Sequence, residues 1–148
     1  MPQSLAHIVI HIIFSTKDRA SVLTPEIRPE LYSYLATIAR KAGGECFRIG
    51  GISDHVHLAI RLSRTMTVAH LVEDLKTSSS KWLKTQGLET FGWQNGYAAF
   101  SVGPKDLPAL KNYIDRQEEH HRTRTFREEY RALLERCGVE YDERYIWD

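Results

Sequence analysis

Eight residues, Ser53-Asp54-His55-Val56-His57-Leu58-Ala59-Ile60, constrain this chain more than any others. Residues two apart in a strand point to the same face. As a strand, this run sets two imidazoles side by side and turns Val56 and Leu58 the other way. Two neighbouring imidazoles on a rigid strand suit a metal ion better than an apolar core. Gly50-Gly51, just upstream, suggests a bulge, a turn or the close approach of another backbone.

The remaining elements fall into order around this strand. Ala6 to Ser15 is dense in isoleucine and reads as a buried strand. Its His7 and His11 share a face with Val9 and Ile13 and read as hydrogen-bonded histidines at a strand edge. Thr24-Pro25 marks a helix start, and Gly43-Gly44 its end. Glu45 to Ile52 and His55 to Leu62 are the next two strands, antiparallel across a tight connection. Thr67 caps a second helix carrying Val68, Leu71, Val72, Leu75, Trp82 and Leu83. Tyr97 to Val102 is a further strand. The sequence of strand, helix, strand, strand, helix, strand predicts an α+β, ferredoxin-like (RRM-like) antiparallel sheet. A third helix is expected over about Asp106 to His120. A fourth runs over about Phe126 to Cys137, opened by a Thr125/Glu128 capping box. The tail from Tyr141 to Asp148 is acidic and aromatic, suited to packing or a partner contact.

A chain of 148 residues fits one domain spanning 1–148 with a real core. The longest apolar run, Ile8 to Phe14, is too short to span a bilayer, and no signal peptide is visible. Cys46 and Cys137 lack metal-knuckle spacing and read as reduced, buried thiols of a cytoplasmic protein. The net charge of +1 does not by itself indicate a nucleic-acid binder. Locally, however, Arg61, Arg64, Lys76, Lys81 and Lys84 face only Glu73 and Asp74 within one stretch, which on charge alone reads as a solvated helix face and could also meet phosphates. Thr77-Ser78-Ser79-Ser80, a poor helix former between two of these lysines, is either a weak, exposed turn of helix or a place where a nucleic-acid backbone could come close.

In the third expected helix Tyr113 and Gln117 are four apart and share a face, so a hydroxyl and an amide project together. The pair means little alone. Set beside Asp54-His55-Val56-His57-Leu58 on a ferredoxin-like sheet, it resembles the single-tyrosine transposases of the HUH nuclease superfamily, which move small insertion sequences as single-stranded DNA. The resemblance extends from the Ile-rich first strand through the aromatic stretch Phe91 to Val102 and on to Phe126.

What the resemblance implies is specific. His55, His57 and Gln117 would be ligands of a divalent metal, Mg²⁺ or Mn²⁺, and Tyr113 the nucleophile. Two imidazoles and an amide oxygen leave such a cation open positions for phosphate oxygens and water. Tyr113 would attack the scissile phosphate, giving a 5′-phosphotyrosine and a free 3′-OH, and a second 3′-OH would reseal the strand. Partners would be single-stranded DNA, with hairpins at element ends. One tyrosine per chain and two cleavages per excision imply a homodimer, in which the tyrosine helix completes either its own site or its partner's. Lys111, Arg116, His120 and His121 are further candidate phosphate contacts.

Three rival readings differ in one feature each. A histidine-triad nucleotide hydrolase needs a third histidine where Ala59 stands. A base-stacking RNA module needs aromatics on the central strands, where Phe47 is the obvious one. A domesticated relative acting on genomic hairpin repeats would keep every site residue named here.

Overall fold

Strand β1, Ile8–Ser15, is buried along nearly its whole length. Its even and odd positions enter different cores. Ile10, Ile12 and Phe14 pack with one apolar cluster, while Ile13 packs with another. Only a central strand of a sheet covered on both faces can do this. The computed structural model, which describes residues 2–148, places β1 there. With β2 (Glu45–Gly51), β3 (His55–Leu62) and β4 (Ala98–Val102) it forms one antiparallel sheet in the order β2-β3-β1-β4. This is the expected α+β, ferredoxin-like arrangement.

Helices α1 (Arg28–Lys41) and α2 (Val68–Thr85) cover the first face. Leu31 and Leu35 from α1 and Leu71, Leu75 and Leu83 from α2 meet Val56, Leu58 and Ile60 of β3. The second face carries α3 (Leu107–Asp115), α4 (Gln117–His120) and α5 (Phe126–Arg136). There Phe126, Tyr130, Leu133 and Leu134 pack on Ile13, Ala98 and Phe100. His55 and His57 face this second layer because they alternate with Val56 and Leu58. Among the described residues no helix is long and apolar enough to cross a membrane.

Several local expectations are met. Thr67 accepts from the His70 amide at 3.1 Å. The Thr125/Glu128 capping box forms, and Gly138 follows α5 with φ +67, where a glycine bears no Cβ penalty. Others are corrected. Thr24-Pro25 opens a turn, not the helix itself: the Ile27 and Arg28 amides both bond to the Thr24 carbonyl at 3.1 Å, and α1 proper begins at Arg28 with Pro29 in its first turn. The bulge in β2 lies between Cys46 and Arg48. Gly50 instead serves a close approach, because a Cβ there would lie 2.5 Å from the Ile114 carbonyl oxygen of α3. The single helix expected to His120 breaks at Arg116, whose φ −98 and ψ 17 separate α3 from α4. His11 is not at an edge, since its strand is central, and the cysteines are not buried in the core: Cys46 is half-buried on the edge strand β2 and Cys137 is exposed at the end of α5. The Thr77–Ser80 stretch stays helical, and Ser79 turns inward to accept a hydrogen bond from the Trp93 indole. The acidic, aromatic tail packs: Tyr141, Ile146 and Trp147 lie against the second cluster.

Candidate active site

Register delivers the first half of the site. β1 pairs with β3 so that Ile13 faces His57 and His11 faces Ala59. His11 and His57 are therefore diagonal neighbours on one face, close enough for direct contact. Their Nε2 and Nδ1 atoms are 2.8 Å apart and the rings stack at 5.1 Å. His55 lies further along, its Nδ1 2.8 Å from Asp54 Oδ1. The Asp54 backbone is fixed by the Thr16 amide, which donates to its carbonyl at 2.8 Å.

The second half comes from α3 to α5. Gly50 pairs with His57 and leaves room on the site face for Ile114. α3 thus settles onto the sheet, and the Tyr113 ring stands 5.6 Å from that of His57 in the same chain. The turn at Arg116 then brings Gln117 inward, with its Oε1 3.0 Å from His55 Nε2. Sequence spacing brought Tyr113 and Gln117 together on one helix; the structure brings them together across a helix break.

At the centre is a residue that sequence reading missed. Glu129, on α5, is 1% exposed. Its Oε1 lies 3.0 Å from His57 Nε2, 3.2 Å from His121 Nε2 and 3.4 Å from His55 Nε2. Its Oε2 accepts from the Tyr113 hydroxyl and from the Gln117 amide at 3.0 Å, with His120 Nε2 at 3.3 Å. A signal for it existed: Glu129 falls on the stripe Phe126, Tyr130, Leu133 that α5 buries, where a carboxylate needs a partner. His121 was expected to touch phosphate. Instead it is nearly buried, its Nδ1 2.7 Å from the Arg124 carbonyl oxygen and its Nε2 3.1 Å from Gln117 Oε1. His120 stands beside Tyr113, ring centroids 5.5 Å apart, and its buried Nε2 has no hydrogen-bond partner.

The electrostatics follow from this burial. Burial alone would raise the Glu129 carboxyl, but hydrogen bonds from His121, His55 and His57 hold it well below the usual carboxylate range. Burial opposes a charge on His55, yet its bonds to Asp54 and Glu129 prevail and raise the imidazole to about 9. His57 and His11 are lowered, mainly by burial, to about 4 and about 3. The protein thus balances Glu129 with positive charge at His55 and keeps the other two neutral. Burial and the Glu129 charge push the Tyr113 phenol above its ordinary range.

Ligand geometry singles out His55, His121 and Glu129, whose donor atoms all lie within 4.8 Å of one another. Asp54 on Nδ1 of His55 is the carboxylate–histidine arrangement that leaves Nε2 for a metal. Imidazole nitrogens with carboxylate and amide oxygens fit a divalent cation. His57 is beside this group, its Nε2 turned to Glu129.

The remaining cationic candidates are scattered. Lys76 is corrected: its ammonium donates to the carbonyls of Gln94, Asn95 and Gly96 at 2.7, 3.3 and 2.6 Å and braces that loop. Lys81 and Lys84 sit on α2, across the sheet from Tyr113. Arg61 reaches Glu45 at 3.7 Å, Arg64 is exposed beyond β3, and Lys111 lies over the Phe47 ring at 5.5 Å. Arg116 does join the site: with Asn112, Tyr113, His120 and Arg122 it lines a cavity of about 610 Å³.

Comparison with known proteins places the chain among transposases. A family model described as "Transposase IS200 like" matches residues 4–117. The ISDra2 transposase TnpA of Deinococcus radiodurans is 26% identical over 116 residues, which span 74% of this chain and 83% of that protein. A crystal structure from Deinococcus radiodurans R1, described as a transposase, superposes with a TM-score of 0.60 at 24% identity, covering 79% of this chain and 98% of that one. A REP-associated tyrosine transposase bound to a REP hairpin superposes with a TM-score of 0.61 at 16% identity, covering 82% and 74%. The family match stops at Gln117, so His120, His121 and Glu129 lie beyond it.

Proposed function

The chain belongs to the IS200-like transposase family, and on that footing we propose that it cleaves and rejoins single-stranded DNA through Tyr113, assisted by a divalent cation in the pocket of His55, His57 and Gln117. The observation that carries this reading is the meeting of Tyr113, His57 and Gln117 in one chain, inside the family-matched span.

In the proposed reaction the Tyr113 oxygen bonds to the scissile phosphorus as the bond to the 3′ oxygen breaks. The strand is left as a 5′-phosphotyrosine and a free 3′-OH, and attack by a second 3′-OH reverses the step. The hydroxyl proton is already directed at Glu129 Oε2. Because Tyr113 is protonated at neutral pH, that acceptor matters. A bound divalent cation supplies Lewis-acid polarisation of the phosphate oxygens. Nitrogen donors favour Mn²⁺ over Mg²⁺ in such a pocket. Arg116 and Arg122, on the cavity wall beside Tyr113, meet the DNA phosphates. The DNA is expected to present hairpins, as the structural neighbour bound to a REP hairpin does. Two cleavages call for two chains, so a homodimer is part of the proposal, with each Tyr113 serving its own histidines.

The test is incubation with single-stranded hairpin DNA from the flanks of the gene, with Mn²⁺, read on a denaturing gel. A covalent adduct that disappears with chelator and in Tyr113→Phe is expected. Absence of adduct with every flanking hairpin, together with hairpin binding that Tyr113→Phe leaves unchanged, would mark a binding protein instead.

A further inference from the structure

A cationic cluster lies outside the pocket, at the end of the sheet that carries His55. Trp147 packs on Tyr130, Tyr130 on Phe126 and Phe126 on His55, with ring centroids 5.6, 5.2 and 4.4 Å apart. Three guanidinium groups gather on the Trp147 ring: Arg127 at 4.9 Å, Arg131 at 5.3 Å and Arg19 at 5.7 Å from its centroid. An indole attracts cations through its ring quadrupole but does not cancel their charge. Glu143 neutralises Arg131 and accepts from the Trp147 indole N–H at 3.3 Å. Among the described residues, neither Arg19 nor Arg127 forms an ion pair. Two unpaired guanidinium groups on one ring repel each other unless an anion joins them.

Arg19 is brought there at a conformational cost. Asp18 and Arg19 both have left-handed backbones, with φ of 56 and 54, which residues other than glycine rarely adopt. Three bonds hold the turn. Thr16 Oγ1 donates to the Ala20 carbonyl at 2.8 Å, the Arg19 amide to the Thr16 carbonyl at 3.0 Å, and the Lys17 amide to the Gly92 carbonyl at 2.8 Å. Strained residues so over-determined collect at ligand clamps. Arg127 is connected to the reaction by its own segment. The stretch from His120 to Arg127 holds Arg122, Arg124 and Arg127 and no carboxylate. Arg122 lines the cavity beside Tyr113. The basic run therefore leads from the nucleophile, round the start of α5, to the Trp147 ring.

We infer that Arg19 and Arg127, gathered on Trp147, hold a backbone phosphate of the single-stranded DNA that flanks the scissile bond. Guanidinium forks match phosphate oxygens two at a time, and an arginine stacked on an indole is already oriented to do so. The cluster contacts backbone rather than base edges, so it fits a flank of any sequence. The inference rests on the DNA cleavage of the proposed function and deepens it: the strand cut at Tyr113 leaves the pocket past the His55 end of the sheet.

The experiment compares a blunt DNA hairpin with the same hairpin carrying a single-stranded extension at either end, by fluorescence anisotropy in chelator, where no strand is cut. The extension should tighten binding to the parent protein. Arg19→Gln and Arg127→Gln should each weaken the extended hairpin roughly tenfold, flatten its salt dependence by about one counterion and leave the blunt hairpin unchanged. Arg19→Gly removes the guanidinium and the backbone strain together, so it should melt no lower than the parent and still lose the gain from the extension. A purely structural arginine would melt lower and bind both hairpins alike. Should the variants fail to fold, ¹⁹F resonance of the parent protein labelled with fluorotryptophan must show the Trp147 signal moving when a single-stranded oligonucleotide is added. Unchanged binding of the extended hairpin by both glutamine variants, with an unmoved Trp147 signal, would overturn the inference and leave Tyr113 cleavage standing. Equal loss on both hairpins would overturn it in favour of a seat for the duplex stem. The expected losses in a parent protein that forms no Tyr113 adduct would instead keep the strand-binding cluster and remove the cleavage reading.

Discussion

Gly50 and Ile114 touch backbone to backbone: a methyl group on Gly50 would sit 2.5 Å from the Ile114 carbonyl oxygen and 2.7 Å from its Cγ2. The neighbour is a helix backbone, which cannot step aside as a flexible side chain would. Gly50→Ala is therefore expected to lift α3 from the sheet and carry Tyr113 away from His57. The stability loss should be about 1–3 kcal/mol, as for other overpacked sites. Adduct formation should fall far more than hairpin binding. Thermal melting and the denaturing gel read the two effects separately.

His11 matters through His57. His11→Phe keeps the bulk but leaves His57 Nδ1 without its 2.8 Å partner. A buried polar group left unpaired costs about 1–3 kcal/mol. The freed ring can also change tautomer and withdraw its proton from Glu129. Chemical denaturation should show the stability loss, and ¹⁵N shifts of the His57 ring should show the tautomer change. His11→Gln, which can restore a donor, should recover part of both.

Stability of the metal-free protein should peak near pH 6.5. His55 is raised to about 9, so its contribution is complete below its ordinary 6.5 and is lost as pH climbs through 9. The amount is on the order of 3 kcal/mol. His57 and His11 are lowered to about 4 and about 3, so they act in the opposite sense below the peak: the unfolded chain binds more protons there, and stability rises with pH toward 6.5. Melting curves in chelator from pH 4 to 9 test this. A curve flat across pH 6.5–9 would contradict the charge placed on His55.

Two basic residues that look alike in sequence should behave differently. Lys76→Met removes the brace of the 94–96 loop and is expected to cost about 1–3 kcal/mol of stability. The salt dependence of hairpin binding should stay as it was. Arg116→Ala should leave melting unchanged, weaken hairpin binding and flatten its salt dependence by about one counterion. The two slopes of log affinity against log salt decide it.

Local chemistry wrote much of the fold plainly. Strict alternation around His55 and His57, the Thr67 cap, the Thr125/Glu128 box and the Gly43-Gly44 stop each act over a few residues, and each is where sequence placed it. The site was half legible. His55, His57, Tyr113 and Gln117 stand together, whereas Glu129 is spelled like its exposed neighbour Glu128 and gains meaning only when α5 lands on the sheet. The break at Arg116 has no proline or glycine to announce it. Lys76 seemed free because its three carbonyl partners lie eighteen to twenty residues away.

The separation between His57 and Glu129, 72 positions in the chain, has a temporal side. During synthesis the strand pair that carries the histidines leaves the ribosome well before Tyr113, and the Glu129 carboxylate that contacts both comes later still. A half-made molecule holds the sheet and one helical layer but not Tyr113. The assembled pocket exists only once the second layer has closed, so a truncated product of translation lacks the meeting of His57, Tyr113 and Glu129.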